Sequence, residues 1–395
     1  MYNKKQELYA MTIIDIFWKI LFVFDWLLFI GVSLTVAYMV LFSFASLFSR
    51  KHDVPKAKQQ NRFIVLIPAY KSDANIIHTV SAILSQTYPQ RMFDVVVISD
   101  HQSEMTNMRL AQYTITLLTP NFEKSSKTKS LQFAILNLPE FKIYDVAVIL
   151  NADNIVEPEF LTQLNDAYEA AGTKAIVTHL MPRNRDTSSA RLSTIFEEIN
   201  NSIFRRGHIN LGLSSAVNNA GMAYEFDWLK KNLMKVRTST EEKELEAMLI
   251  HQRVYVDYFD DIYVYNERKR EAAEFNRQRR HWILDQVRSL IKNIRYLPAA
   301  IFNQQYDWVD KIIQWMLLPR TILFTIIFVM SLSLPFIYLS SAIKWWIVTA
   351  IWGFSMAFAT PNALVDKNWD KDFITLPIAT VNNVIKRIIS IIRKK

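Results

Sequence analysis

Arg62-Phe-Ile-Val-Leu-Ile-Pro68 is a short, continuous apolar run closed by a proline. Apolar residues that follow one another without alternation suit a strand buried in a sheet, and the proline ends it. Outward from this stretch the pattern repeats. Asn75 to Leu84 reads as a helix, Phe93-Asp-Val-Val-Val-Ile-Ser99 as a second buried strand and Tyr113 to Leu118 as a third. Lys129 to Leu136 reads as a helix and Val146-Ala-Val-Ile-Leu150 as a fourth strand, followed by helix 157–170 and strand 174–178. Strands alternating with helices predict an α/β domain with a mostly parallel sheet covered on both faces. Ligands of such sheets sit at the carboxyl ends of the strands. That rule singles out Pro68-Ala69-Tyr70, Ser99-Asp100-His101 and Asn151-Ala152-Asp153.

The 395 residues allow one large domain or two modest ones. The chain is 51% apolar, more than a soluble protein of this length usually carries, so part of it is expected in lipid. Six glycines, with no Gly-x-Gly-x-x-Gly or Walker loop, mean that a phosphate-bearing ligand must be held another way. Cysteine is absent, which excludes disulfides, thiolate nucleophiles and cysteine-ligated zinc. The seven histidines show no metal-ligand spacing. A net charge of +9 points to nucleic acid or anionic lipid, and the placement of the charge decides between them.

Residues 26–49, 321–343 and 345–365 are free of charge and long enough to cross a bilayer, which takes roughly 20 apolar residues as a helix. Pro335 inside the second is tolerable as a kink. Arg50, Lys51, Lys56, Lys58 and Arg62 follow the first span, and Lys386, Arg387, Arg393, Lys394 and Lys395 follow the last, while Lys344 alone separates the second from the third. The positive-inside rule then places the middle domain and the C-terminus in the cytoplasm, although Lys4, Lys5 and Lys19 pull the other way. Residues 9–24 and the basic amphipathic stretch 373–395 read as lying on the membrane surface. Basic residues beside membrane segments account for the net charge without nucleic acid.

At the strand ends, Asp153 can be a Mg²⁺ or Mn²⁺ ligand that shares the cation with a diphosphate, or a helix N-cap, a job Asn154 could also do. Asp100 can accept hydrogen bonds from a base or ribose, or cap the next helix. Lys129 can reach a phosphate or stay solvated. Glu241, Glu242, Glu244 and Glu246 open a helix that Thr240 would cap; they are an acidic first turn facing water, or one of them is a general base. Gln278-Arg279-Arg280-His281-Trp282 lies in a very basic helix just before the membrane segments. Gln278 and Trp282 share a face, and so do Arg279 and Trp282. An arginine fork beside a tryptophan suits a diphosphate next to a sugar, and a juxtamembrane helix touching headgroups would have the same composition.

In this order the pieces resemble the membrane-bound family 2 glycosyltransferases, which include the cellulose, chitin and hyaluronan synthases. Phe63–Tyr70 is similar to the family's first strand, which abuts the nucleotide, and Val95–Asp100 to the second, whose terminal Asp contacts the uridine. Ser126–Ala134 resembles the Lys-containing segment, and Leu150-Asn-Ala-Asp153 the Asp-x-Asp motif with Asn in first place. Asn219-Ala-Gly-Met-Ala223 resembles the Gly-containing acceptor segment. Glu242-Lys-Glu-Leu-Glu246 resembles the Glu-Asp-Leu-Glu segment. Aligned on Leu-Glu, Glu244 falls on the catalytic base, with Glu242 as the alternative. The 278–282 pentapeptide is one residue away from Gln-x-x-Arg-Trp, with His281 where Arg is expected.

The resemblance implies a GT-A-type nucleotide-diphospho-sugar transferase domain at 61–290. Residues 1–60 would hold an interfacial helix and one span, and 291–395 an interfacial helix, two transmembrane spans and the C-terminal amphipathic helix. It implies an inverting hexosyltransferase of the cytoplasmic membrane, using Mg²⁺ or Mn²⁺ on Asp153 and a nucleotide-sugar donor, expected to be a UDP-sugar. Pro68, Ala69, Tyr70, Asp100, Lys129 and Asn151 would line the donor, with Gln278, Arg279, Arg280, His281 and Trp282 at the diphosphate and acceptor. The acceptor would be a growing polysaccharide or a lipid-linked sugar, with an export protein as a further partner. A catalytically degenerate nucleotide-binding subunit of an export complex is the third reading.

Overall fold

The computed structural model describes residues 2–48, 54–183, 187–238, 241–266 and 272–361, with the backbone alone for 2–15, 188, 189, 192, 272–282 and 321. They fall into two compact units, a helical unit of residues 2–44 and 317–358, and an α/β unit within 45–316 with 359–361.

In chain order the elements are α1 (Tyr2–Ala45), β1 (Phe63–Tyr70), α2 (Ile76–Leu84), β2 (Phe93–Asp100), α3 (Glu104–Leu110), β3 (Thr116–Leu118), α4 (Lys127–Leu136), β4 (Val146–Ile149), β5 (Asn154–Val156) and α5 (Phe160–Ala171). They continue with β6 (Ala175–Pro182), α6 (Ser188–Asn200), α7 (Gly207–Asn210), β7 (Met222–Glu225), α8 (Phe226–Leu233), α9 (Glu242–His251) and β8 (Val256–Asn266). Last come α10 (Ala272–Asn293), α11 (Leu297–Phe302), α12 (Tyr306–Met316), α13 (Arg320–Ser333) and α14 (Leu339–Ala359).

The strands form one sheet in the order β3-β2-β1-β4-β7-β6-β8-β5. The expected parallel pairing holds for β1 with β2 and β4, and for β2 with β3. The sheet as a whole is mixed, because β7 runs antiparallel to both β4 and β6, and β5 antiparallel to β8. A strand as short as Met222–Glu225, reached after an excursion through α6 and α7, leaves no periodic signal to read. Alternate side chains of the continuous runs serve two cores. Phe63, Val65, Ile67, Val95, Val97 and Val148 pack with Ile76, Val80 and Ile83 of α2 and Leu161 and Leu164 of α5. Ile64, Leu66, Val96, Ile98 and Ile149 pack with Leu131 of α4, Leu229 of α8 and Leu245 and Leu249 of α9. Each such side chain contributes about 1.5–3 kcal/mol when fully buried. Burial on both faces is why these strands carry no polar alternation.

In the helical unit α1 and α14 run parallel. Lys344 donates to Asp25 Oδ2 near one end, with Trp345 Nε1 bonded to Asp25 Oδ1 at 2.8 Å, and Ser43 meets Ser355 at 3.1 Å farther along. Lys344 also lies 4.0 Å from the centre of the Trp26 ring. Helix α13 is antiparallel to α14, with Ser331 on Thr349 and Phe324 stacked on Trp352.

Three expectations change here. The stretches 9–24 and 26–49 are one helix through Ala45, since no proline or glycine interrupts the chain before Gly31. Pro335 ends a helix instead of kinking one: α13 stops at Ser333, a 3₁₀ turn covers Leu334–Phe336, and α14 begins at Leu339. Lys344 therefore sits inside α14 and not between spans. At 14 residues α13 is about 21 Å long. Ile16–Ala45 and Leu339–Ala359 are long and apolar enough to cross a membrane. The 373–395 stretch and Thr240 lie outside the described residues.

Candidate active site

Strands β1 and β2 end in register, Tyr70 opposite Asp100. Asp100 is 1% exposed. Its Oδ1 lies 2.5 Å from His101 Nδ1, and its Oδ2 has no hydrogen-bond partner among the described residues. A buried carboxylate oxygen left unpaired is costly, and a donor-rich ligand removes that cost. Lys71 and His101, just past the two strand ends, both have left-handed backbone (φ 46° and 57°), and the Lys71 N–H donates to the Asp100 carbonyl at 3.2 Å. Pro68 is half-buried, Ala69 buried and Tyr70 exposed, with its ring edge-on to His101.

Beyond β4 the chain makes a tight turn. The Asn151 N–H donates to Asn154 Oδ1 at 2.7 Å, and the Asn154 N–H returns to the Asn151 carbonyl at 3.1 Å. Asn154 is fully buried and closes this turn, so it caps no helix; α5 begins only at Phe160. The turn leaves Asn151 and Asp153 half-buried at the sheet edge. Among the described residues no group of three His, Cys, Asp or Glu side chains is arranged to hold a metal ion. A Mg²⁺ or Mn²⁺ ion that shares a diphosphate needs only one or two carboxylates, so Asp153 with the Asn151 amide oxygen suits one.

The antiparallel pairing of β7 with β4 brings a third loop to this edge. Gly221 (φ 69°) donates to the Ile149 carbonyl at 2.9 Å, and its own carbonyl accepts from Thr178 N and Oγ1. Two residues earlier, the Asn219 carbonyl accepts from Lys127 Nζ at 2.6 Å. Lys127 opens α4, and the same ammonium lies 2.7 Å from Glu241 and 3.1 Å from Glu242 at the start of α9. Burial alone would lower the Lys127 ammonium, but the charges of Glu241 and then Glu242 hold it above its ordinary value. Burial first, and the Glu242 charge next, push Glu241 up to about 7 against the pull of Lys127. Its Oε2 has no partner among the described residues. Glu242, with the larger side-chain exposure of 17% against 3%, is the more accessible of the two.

The other residues named from sequence are placed differently. Glu244 is held by the Arg237 N–H at 2.7 Å and by Lys292 of α10 at 3.2 Å. Lys129 is exposed, with its ammonium on the Lys124 carbonyl at 2.8 Å. Gln278, Arg279, Arg280, His281 and Trp282 lie on the backbone of α10, and their side chains are outside the described residues. Lys127 was not singled out from sequence, nor Glu241 as anything beyond one of four acids. The spacing of two residues between Lys127 and Lys129 puts them on different faces of one helix, which composition cannot reveal.

Behind the site His179, at a register shift of β6 against β8, is bonded by Glu198 at 2.8 Å and faces Asp260 at 3.4 Å. Asp260 in turn takes a bidentate grip from Arg206 at 2.7 and 2.9 Å, in a π-helical turn spanning Asn201–Arg206. Burial alone would lower the His179 pKa, but its hydrogen bonds to Asp260 and Glu198 raise it to about 9.

Residues 60–284 match the model of a family described as glycosyltransferase like family 2. No curated protein matches the chain in sequence. Among solved structures, the mannosyltransferase PcManGT from Pyrobaculum calidifontis, in complex with GDP-Man and Mn²⁺, is similar with a TM-score of 0.51 and 13% identity, over 90% of this chain and 97% of that one. S. aureus TarS 1-349 in complex with UDP-GlcNAc is similar at a TM-score of 0.45 and 13% identity, over 77% and 82% of the two chains. Glucosyl-3-phosphoglycerate synthase from Mycobacterium tuberculosis, in complex with Mn²⁺, UDP and phosphoglyceric acid, follows at 0.41 and 15%, over 58% and 78%.

Proposed function

The chain belongs to glycosyltransferase family 2, and from that premise we propose an inverting transfer of a sugar from a UDP-sugar to a saccharide acceptor at a membrane face, with Glu242 as the general base. The observation that carries this reading is the Glu241–Glu242–Lys127 cluster, tied by the Asn219 carbonyl to the same sheet edge that ends in Asp100 and Asp153. Glu242 takes the proton of the acceptor hydroxyl. The oxygen forms a bond to the anomeric carbon as the bond to the donor's diphosphate breaks, and the electron pair leaves with the diphosphate. Lys127, 3.1 Å from Glu242, holds its carboxylate in place through an ion pair. Asp100 receives the nucleoside through its unpaired oxygen. Asp153 and Asn151 would hold a Mg²⁺ or Mn²⁺ ion, whose charge would stabilise the departing diphosphate. Arg279 and Arg280, with Gln278 and His281, would add to that stabilisation, and Trp282 would wall the acceptor sugar, as the family resemblance implies.

Membrane residence is supported by the two long apolar helices and by the outer face of the α/β unit's last helices. Ile291, Ile301, Phe302, Tyr306 and Met316 are all exposed there, Phe302 at 88%, with Arg288, Lys292 and Arg295 among them. Apolar side chains interleaved with basic ones suit the headgroup region of an anionic bilayer. A growing polysaccharide is the favoured acceptor. A lipid-linked acceptor is the second reading, favoured by the shortness of α13, since long spans are what a polymer channel is built from.

The test is a panel of radiolabelled UDP-sugars supplied to membranes holding the full-length protein with Mg²⁺ or Mn²⁺. A ladder or smear on a gel means polymer, and one lipid-soluble spot means single transfer. Donor binding without any product would sink the catalytic reading in favour of a nucleotide-binding subunit.

A further inference from the structure

Helix α12 turns its charge inward. Its exposed residues are Tyr306, Ile313 and Met316, whereas Asp310 and Lys311 are buried. Two of its polar groups reach loop 214–221 and α9. Asp307 accepts from the Ser214 N–H at 2.6 Å. Lys311, 1% exposed, donates to Glu246 Oε1 at 3.1 Å and to Gln314 at 2.9 Å. Glu246, fully buried, stands one helical turn beyond Glu242 on α9. Its Oε1 also accepts from the Val217 N–H at 3.1 Å, and its Oε2 from Lys243 at 2.9 Å. Val217 leads to Asn219, whose carbonyl takes Lys127. Lys311 is thus joined through one carboxylate to both the loop and the helix that fix the proposed base.

An apolar pair of the same volume is often as stable as a buried ion pair, so stability alone does not call for this one. What an apolar pair cannot do is aim a hydrogen-bond acceptor at the Val217 N–H. We propose that Lys311 is a positioning residue for the transfer: by orienting Glu246 it sets loop 214–221 and the first turn of α9, and so where Glu242 meets the acceptor. The proposal rests on the reading of Glu242 as the base.

The experiment compares full-length wild type with the neutral double variant Lys311→Met, Glu246→Gln and with Lys311→Arg. It reads thermal stability, kcat, donor KM and amide exchange over 214–221. The expected result is a folded double variant with unchanged donor KM, faster exchange in that loop, and kcat lower by about 10- to 100-fold, the scale of a small misplacement at a reacting centre. Wild-type kcat, or wild-type exchange over 214–221, in the folded double variant overturns the proposal. If that variant does not fold, Lys311→Arg decides on the same readouts. If neither folds, the pair is a folding requirement and the positioning role is rejected. A wild-type chain that turns over no nucleotide sugar sinks the functional reading instead, and the exchange data still decide whether Lys311 orders the loop.

Discussion

A side chain on Gly221 would overlap Thr178: an added Cβ falls on Thr178 Oγ1 and 2.9 Å from Val264 Cγ2. The backbone at Gly221 is left-handed as well (φ 69°). Gly221→Ala should therefore cost about 3 kcal/mol, combining a left-handed residue with overpacking. Chemical denaturation measures it. A loss below a few tenths would mean that the loop relaxes freely and that its close approach is not required.

Glu242 and Glu244 are separable. Glu242→Gln should lower kcat by about 10²–10⁴-fold, the usual worth of a general base, with donor binding intact. Glu244→Gln should leave most activity, because its carboxylate is occupied by the Arg237 N–H and Lys292. The reverse ranking in a kinetic assay would transfer the role to Glu244.

Glu241 gives a pH signature. Its folded-state pKa of about 7 lies above its ordinary 4.5, so between these values the folded chain holds the proton more tightly than the unfolded one. Its contribution is favourable at low pH and is lost as the pH rises through about 7. Glu241→Gln, neutral at every pH, should raise Tm at pH 8 and change little below pH 4.5. Melting curves at the two pH values check this; an increase confined to the acid side contradicts the assignment.

Asp100→Asn removes the charge of the unpaired Oδ2 while keeping an oxygen for His101. One hydrogen bond to a charged group is worth about 1.5–3 kcal/mol, so donor KM should rise about 10- to 100-fold with kcat little changed. A normal donor KM would remove Asp100 from the nucleotide site.

His179 works in the same sense as Glu241, about two pH units higher. Its pKa, raised from 6.5 to about 9, means stability that is complete below 6.5 and is lost as pH climbs through 9. His179→Gln should accordingly cost more at pH 6 than at pH 10 in denaturant titrations. An equal cost at both values would show that the imidazole is neutral throughout.

The buried strands were readable because residues 63–67 and 95–98 are apolar without interruption, which only burial on both faces explains. Strand β7 was not, because four residues carry no period and antiparallel insertion is a tertiary choice. Asp100 and Asp153 stood out in the sequence as carboxylates following apolar runs, and the structure places Asp100 at the carboxyl end of β2 and Asp153 past that of β4. Glu241 was hidden among four acids, since what distinguishes it is its burial against Lys127, a residue 114 positions earlier in the numbering. Pro335 was read as a kink because lipid tolerates one; the following Phe336 and Ile337 instead leave the helix axis before α14 starts.

The Asp25–Lys344 pair has a consequence for how the chain is made. The two residues are 319 positions apart. At roughly 5–20 residues per second, Asp25 leaves the ribosome about 15 s to a minute before its partner exists. Throughout that interval α1 is a completed helix without the lysine that clasps it, while the whole sheet and its covering helices are synthesised. Assembly of the helical unit thus waits on the synthesis of α14, and a chain that stalls between α12 and α14 carries the complete sheet tethered to a helix that has nothing to grip.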